Sequence, residues 1–271
     1  MALTLYERDV QREIERWQEG DLSWVRQLMN VAMKPVDWVT EQVVPAEALE
    51  QFDDIVAKFF VKLGDASSWT YRHESIIAAA HDFELPVDSV EALRSEDMER
   101  LDELAKSQFN QNAVLAAIEG GGTGLGGVAL LAADIPLLFG INLRLIQQVG
   151  ASYGFNLSTP DFQPLVLAAF NAAASGSSQA RHQALREVAV AAAAIAHAHP
   201  YTGHVSGTFN AQNRHLPREI AKSLLSRKLA QTIPIAGAAV GAGVNYWFTT
   251  QTAETAFMLF RSLHVECKDR R

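Results

Sequence analysis

Apolar positions along this chain recur at intervals of three and four, and no stretch alternates convincingly at intervals of two. Leu5, Val10, Ile14 and Trp17 stand at helical spacing with charged residues between them, which predicts an amphipathic helix. Asp21-Leu22-Ser23 offers a cap for a second helix running to about Met33, where Lys34-Pro35 breaks it. Val36, Val39, Val43, Leu49, Phe52, Ile55, Val56, Phe59 and Leu63 then predict a short helix, a break at Pro45 and a longer amphipathic helix. Residues 64–68 make a turn, and a short helix is expected from Tyr71 to His81. After a loop at Leu85-Pro86-Val87-Asp88, residues 90–108 are highly charged. Leu93, Met98, Leu101, Leu104 and Ala105 form their apolar stripe, as on a helix with one face in solvent.

From residue 110 the pattern changes, and the chain turns apolar and runs into Glu119-Gly-Gly-Gly-Thr-Gly-Leu-Gly-Gly. A second apolar run follows, carrying Asp134, Pro136 and Arg144, and it continues as helix to Tyr153-Gly154, with Gly154 as its C-cap. Thr159-Pro160 starts another helix, with Thr at N-cap and Pro in the first turn. Residues 162–174 are apolar nearly all round and should be buried. Residues 175–178 make a flexible break, and an Ala-rich helix ends at Pro200. A loop leads to a helix starting at Pro217. The uncharged stretch 229–253 comes next, and a last helix reaches about His264. The pattern predicts an all-α fold: one multi-helix bundle, with amphipathic helices over 1–108 and a glycine-rich apolar core over 109–271.

Composition narrows the function classes. The chain is 48% hydrophobic and 20% charged, the balance of a globular protein. A net charge of −8 argues against nucleic acid as a partner and against a polybasic membrane anchor. A single cysteine, Cys267, rules out an intramolecular disulfide and fits a reducing compartment. The N-terminus lacks the pattern of a secretory signal, so a cytoplasmic setting is expected. Residues 229–253 are long enough to cross a bilayer. Gln231, Pro234, Asn245, Gln251 and several threonines make them too polar for a lipid-facing helix. They are expected to fold as a helical hairpin or kinked helix against the 120–127 region, so that any membrane contact is peripheral.

The glycines suggest an internal echo. Gly120, Gly124, Gly126 and Arg144 are matched at a constant offset by Gly237, Gly241, Gly243 and Arg261. Glycines four apart make a small, flat helix face that permits close approach. Two pseudo-repeated glycine-rich hairpins are therefore expected, with these six glycines as close-packing positions. Glu119 and Asp134 are the carboxylates set in apolar surroundings, and a buried charge needs a partner. Asp134 is expected to pair with Arg144 or Arg261.

Other chemistry is poorly supported. His197, His199, His204 and His215 are metal-like in type, but two helical residues two apart diverge and no acidic residue lies nearby. His73-Glu74 and His81-Asp82 miss the spacing of a zinc protease, and the glycine run lacks the Gly-Lys-Ser/Thr of a phosphate loop. His264 and Cys267 share a helix face without further thiols. No metal or cofactor is expected.

Several motifs together resemble the EcsC family of bacterial proteins. They are Lys34-Pro35, Val43-Val44-Pro45, Glu119-Gly120, Ala133-Asp134-Ile135-Pro136, Tyr153-Gly154, and Ile233-Pro234-Ile235-Ala236-Gly237 leading to Gly241 and Asn245. The resemblance implies a bacterial cytoplasmic or membrane-associated setting, near transport or secretion, and carries over no catalytic residues. The expectation is a non-enzymatic helical protein that binds a membrane surface, a lipid or a membrane-protein partner. Glu119, Asp134, Arg144 and Arg261 are its candidate binding residues. The rival is a hydrolase using Glu119, Asp134 and a His in a cleft.

Overall fold

The computed structural model describes residues 3–18, 71–123, 128–157, 162–174 and 237–269. Among them every regular element is helical. Helix α1 spans Leu5–Gln18. It begins with a capping box: the Glu7 N–H donates to Thr4 Oγ1 at 3.2 Å, and the Thr4 N–H donates to Glu7 Oε2 at 2.8 Å. Val10, Ile14 and Trp17 are buried, as their spacing predicts.

Helix α2 spans His73–Asp82. Its end is a Schellman motif: the Leu85 N–H reaches back to Ala80 O and the Glu84 N–H to His81 O. Glu84 takes the left-handed position at φ 58°, which glycine usually fills. A 3-10 turn, Glu91–Ser95, and an extended Glu96 then separate α2 from helix α3, Met98–Thr123. The sequence predicts one helix over 90–108; the structure has this turn and then α3. All five stripe residues are nonetheless buried.

Helix α3 runs on through Gly120–Gly122, and helix α4 spans Val128–Ser152 with Pro136 inside it. The two are antiparallel: the Asn112 side-chain amide donates to Gln148 Oε1 at 2.8 Å, far from the junction at 124–127. Helix α4 ends in a second Schellman motif, with the Phe155 N–H on Gly150 O and the Gly154 N–H on Ala151 O. Here glycine occupies the left-handed position, at φ 83°, as expected for Gly154. A Cβ there would also lie 2.7 Å from the Arg94 backbone nitrogen.

Helix α5, Gln163–Ala174, presents a largely buried surface, as its apolar sequence predicts. Helix α6 spans Gly237–Asp269, 33 residues without interruption. This corrects one expectation: the described part of 229–253, from Gly237, is continuous with the last helix, while the hairpin or kink expected over 229–253 involves residues 229–236, which lie outside the described residues. Gly237, Gly241 and Gly243 do not break α6, because its inner face is packed along α3 and α4 and tertiary contact overrides weak local propensity. Phe139 of α4, Phe170 of α5 and Phe248 of α6 meet ring to ring at 5.1, 5.4 and 6.2 Å and centre the core.

Antiparallel pairing of α3 and α6 fixes the two ends of the bundle. Near one end the Asn245 amide donates to Ala116 O. Near the other, Arg261 meets Asp102. Gly120–Gly122 of α3 and Gly237 at the start of α6 therefore lie toward the same end of the bundle.

Candidate functional site

The sequence-predicted residues divide. Glu119 and Asp134 belong to α3 and α4 by their backbones, and their side chains lie outside the described residues. Gly124 and Gly126 lie outside them altogether, as do the histidines from 197 to 215. Arg144 is exposed on α4. Arg261 is 4% exposed. Its Nη2 lies 2.9 Å from Asp102 Oδ2, and its Nη1 lies 2.9 Å from Glu13 Oε2. Among the described side chains the anionic partners of Arg261 are thus Asp102 and Glu13; the expected pairing of Asp134 with Arg144 or Arg261 involves a side chain outside the described residues. The arginines of the two glycine-rich runs also occupy unlike environments. Gly243, expected as a close-packing glycine, is exposed, and a Cβ on it would meet nothing within 4 Å. It lies on the outer face of α6 and not at a helix crossing.

Asp102 is the hub. It is 1% exposed and lies on the inner stripe of α3, one turn after Met98. The Tyr6 hydroxyl donates to Oδ2 at 2.6 Å, and the Tyr153 hydroxyl donates to Oδ1 at 2.5 Å. With Arg261, these donors join α1, α3, the end of α4 and α6 at one carboxylate. Burial pushes both phenols up, and the Asp102 charge pushes them further, so both remain protonated donors. Burial alone would lower the Arg261 guanidinium; Asp102 reverses that and raises it, so it stays charged. Its face also covers the Phe257 ring at 4.6 Å. The carboxylate is shielded and occupied, a poor general base and a good joint.

Beside the hub, Lys268 Nζ donates to buried Glu7 Oε1 at 2.5 Å. Burial pushes the Glu7 carboxyl up, but the Lys268 ammonium and the Thr4 N–H outweigh it and hold it below the usual range. His264 is buried, and one ring nitrogen donates to the Tyr153 carbonyl. Its Nε2 has no hydrogen-bond partner. Burial drives its affinity for a proton down, so the ring is neutral.

Two clefts flank this cluster. One, of about 870 Å³, lies between α1, α3 and α6 and is bordered by Glu13, Lys106, Phe257 and Arg261. The other, of about 440 Å³, lies between the start of α1 and the start of α3, among Glu7, Asp97, Glu99 and Glu103. Among the described residues no group of three or more His, Cys, Asp or Glu side chains is placed to hold a metal ion. His73 contacts the Asn156 amide oxygen and His81 the Val87 carbonyl, both structural contacts.

Sequence reasoning missed Asp102, Tyr6, Tyr153, Glu7 and Glu13. The available signal for Asp102 was its position: it shares the stripe of Met98 and Ala105, where a carboxylate must be paired. Thr4 to Glu7 carried the capping-box spacing. Nothing in the sequence pointed to Tyr153 as a partner, because it reaches Asp102 from 51 residues away.

The opposite end of the bundle is different in kind. Residues 107–143 contain only Glu119 and Asp134 as charged residues, and Gly237 to Ala253 contains none. Leu115, Leu137 and Tyr246 there are 42%, 47% and 45% exposed. Among the described residues no helix is long and apolar enough to cross a membrane.

The described residues form an all-α bundle joined at one end by a buried ionic cluster and poor in charge at the other, where Glu119 and Asp134 are the charged residues of 107–143. The chain belongs to the EcsC protein family, whose model matches residues 8–262. It is similar to the uncharacterised protein YdbA of Bacillus subtilis (strain 168), 23% identical over 94% of this chain and 91% of that one. It is also similar to Protein EcsC of the same organism, 30% identical over 58% of this chain and 61% of that one. No solved structure matches it.

Proposed function

We propose that this EcsC-family protein is a non-enzymatic binding protein that lays the charge-poor end of its bundle on a membrane surface from the cytoplasmic side. The observation that carries this reading is the partition of charge along the bundle. Exposed Leu115, Leu137 and Tyr246 sit on the half of α3, α4 and α6 that is nearly free of charge. Exposed apolar side chains on that half of the bundle favour an apolar partner. A tyrosine among leucines suits the boundary between headgroups and acyl chains. The hydrolase reading has less support. The best-placed described carboxylate, Asp102, is buried beneath three donors, and His264 is turned to a backbone carbonyl.

The test is flotation of the purified protein with phosphatidylcholine vesicles. The wild type should float with the lipid, and the double variant Leu137→Glu, Tyr246→Glu should stay at the bottom with an unchanged melting curve. A wild type that does not float, or a double variant that floats as well, overturns the reading.

A further inference from the structure

Among the described helices, α1 borders both clefts. It is undercut on both flanks. On one side Tyr6, Val10 and Glu13 face Lys106, Phe257 and Arg261 across the larger cleft. On the other side Thr4, Tyr6 and Glu7 face Met98, Arg100 and Glu103 across the smaller one. Tyr6 borders both, so it is the partition between them. The helix therefore meets the bundle along a ridge: a line of apolar anchors, Val10, Ile14 and Trp17, with polar ties at intervals. The ties are Glu7 to Lys268, Tyr6 to Asp102 and Glu13 to Arg261. Two of the three end in ion pairs whose α1 partner is a carboxylate.

The bundle beneath is complete without α1 at its central joint. Asp102 keeps the Tyr153 hydroxyl and Arg261, and Arg261 keeps Asp102 and the Phe257 ring, when Tyr6 and Glu13 are taken away. Asp102 and Arg261 thus each retain a charged or hydrogen-bonding partner when α1 leaves, which lowers the cost of lifting the helix.

We propose that α1 is a releasable strap. It lifts from the bundle as one unit while α3, α4 and α6 stay folded. Lifting removes the Tyr6 partition, merges the two clefts into one chamber floored by Asp102, Arg261 and Phe257, and bares the Val10–Ile14–Trp17 face. The device is one of access: the closed form hides the chamber, and the open form presents it together with an apolar helix face. Regions that move in this way open with a smaller free energy than the global fold and exchange their amides ahead of it.

Native-state hydrogen exchange on the full chain tests this. In the wild type the α1 amides should exchange roughly 100-fold faster than those of Leu101 and Leu104 in α3. The variants Glu7→Gln and Glu13→Gln each remove one ionic tie. Glutamine keeps the capping-box hydrogen bond at position 7. Each should speed α1 exchange by about 10-fold or more and leave Leu101 and Leu104 unchanged. Equal exchange of α1 and α3 in the wild type would make them one cooperative unit and end the proposal. So would variants that accelerate both helices together. Variants that leave α1 exchange unaltered would show that the ionic ties do not hold it, which overturns the proposal equally.

Discussion

At Asp102 a single side chain decides how four segments meet. Its two hydroxyl donors and one guanidinium compensate a charge that would otherwise be very costly to bury. Breaking such a set from one side is worse than never having had it. Asp102→Ala should lower stability by about 3–5 kcal/mol, because Arg261 stays buried with only the half-exposed Glu13 as its anion. Urea unfolding measures this, and a loss under about 1 kcal/mol would mean that Arg261 is not held by Asp102. His264 sets a pH limit on the same region. Burial keeps its folded-state pKa below the ordinary value, whereas the unfolded chain takes up a proton near about pH 6.5. Its contribution to stability is therefore full above that pH and falls as the pH drops below it, by at most about 1.4 kcal/mol per pH unit. Glu7 acts in the same direction at lower pH: its depressed pKa gives stability above about pH 4.3 that is lost on further acidification. Urea midpoints across this range should show a step below about pH 6.5 in the wild type. His264→Gln should flatten it, and an unaltered step would assign it to another group.

At the scale of the helices, glycine has two distinct uses and some positions that need neither. Gly150 lets α4 and α6 touch: a Cβ there would lie 2.5 Å from Leu157 and 2.7 Å from the Phe260 ring. Gly154 supplies the left-handed turn. Gly140 and Gly243 have open space around them and do neither. Gly150→Ala should therefore cost about 1–3 kcal/mol by overpacking. Gly140→Ala and Gly243→Ala should each raise stability by about 0.5–1 kcal/mol, by relieving helix cost alone. Melting curves of the three variants separate these cases, and a destabilised Gly243→Ala would restore the close-packing role there. This contrast also explains what the sequence made legible. Helix type and inner faces followed from spacing, as at Val10, Ile14 and Trp17. The Gly154 cap followed because only glycine takes that φ readily. The end of α2 was placed within one residue, at His81 against Asp82, although Glu84 and not glycine fills the equivalent position. The continuity of α6 was hidden because its glycines are outweighed by packing against α3 and α4, a tertiary effect. The joint was hidden for a similar reason: Asp102, Tyr153 and Arg261 come from three helices, and nothing local couples them.

At the scale of the whole molecule, charge is the guide to how it meets a partner. The net charge of −8 makes an anionic surface repulsive at long range. Arg144 is exposed just beyond the charge-poor stretch 107–143. The proposed membrane contact would draw on apolar burial at Leu115, Leu137 and Tyr246, which salt does not screen. Ionic contact would fade once the Debye length falls from about 10 Å at 0.1 M salt toward 3 Å at 1 M. Flotation with phosphatidylcholine vesicles should therefore be unchanged, within about twofold, between 0.1 and 1 M salt. Added anionic lipid should weaken binding. No described helix can cross a bilayer and the polar residues of 229–253 disfavour a span, so under the proposed peripheral contact carbonate washing of membranes should release the protein. Binding that vanishes in high salt would transfer the interaction to charged residues elsewhere on the chain. Protein retained in the carbonate pellet without aggregation would mean that part of the chain enters the bilayer core.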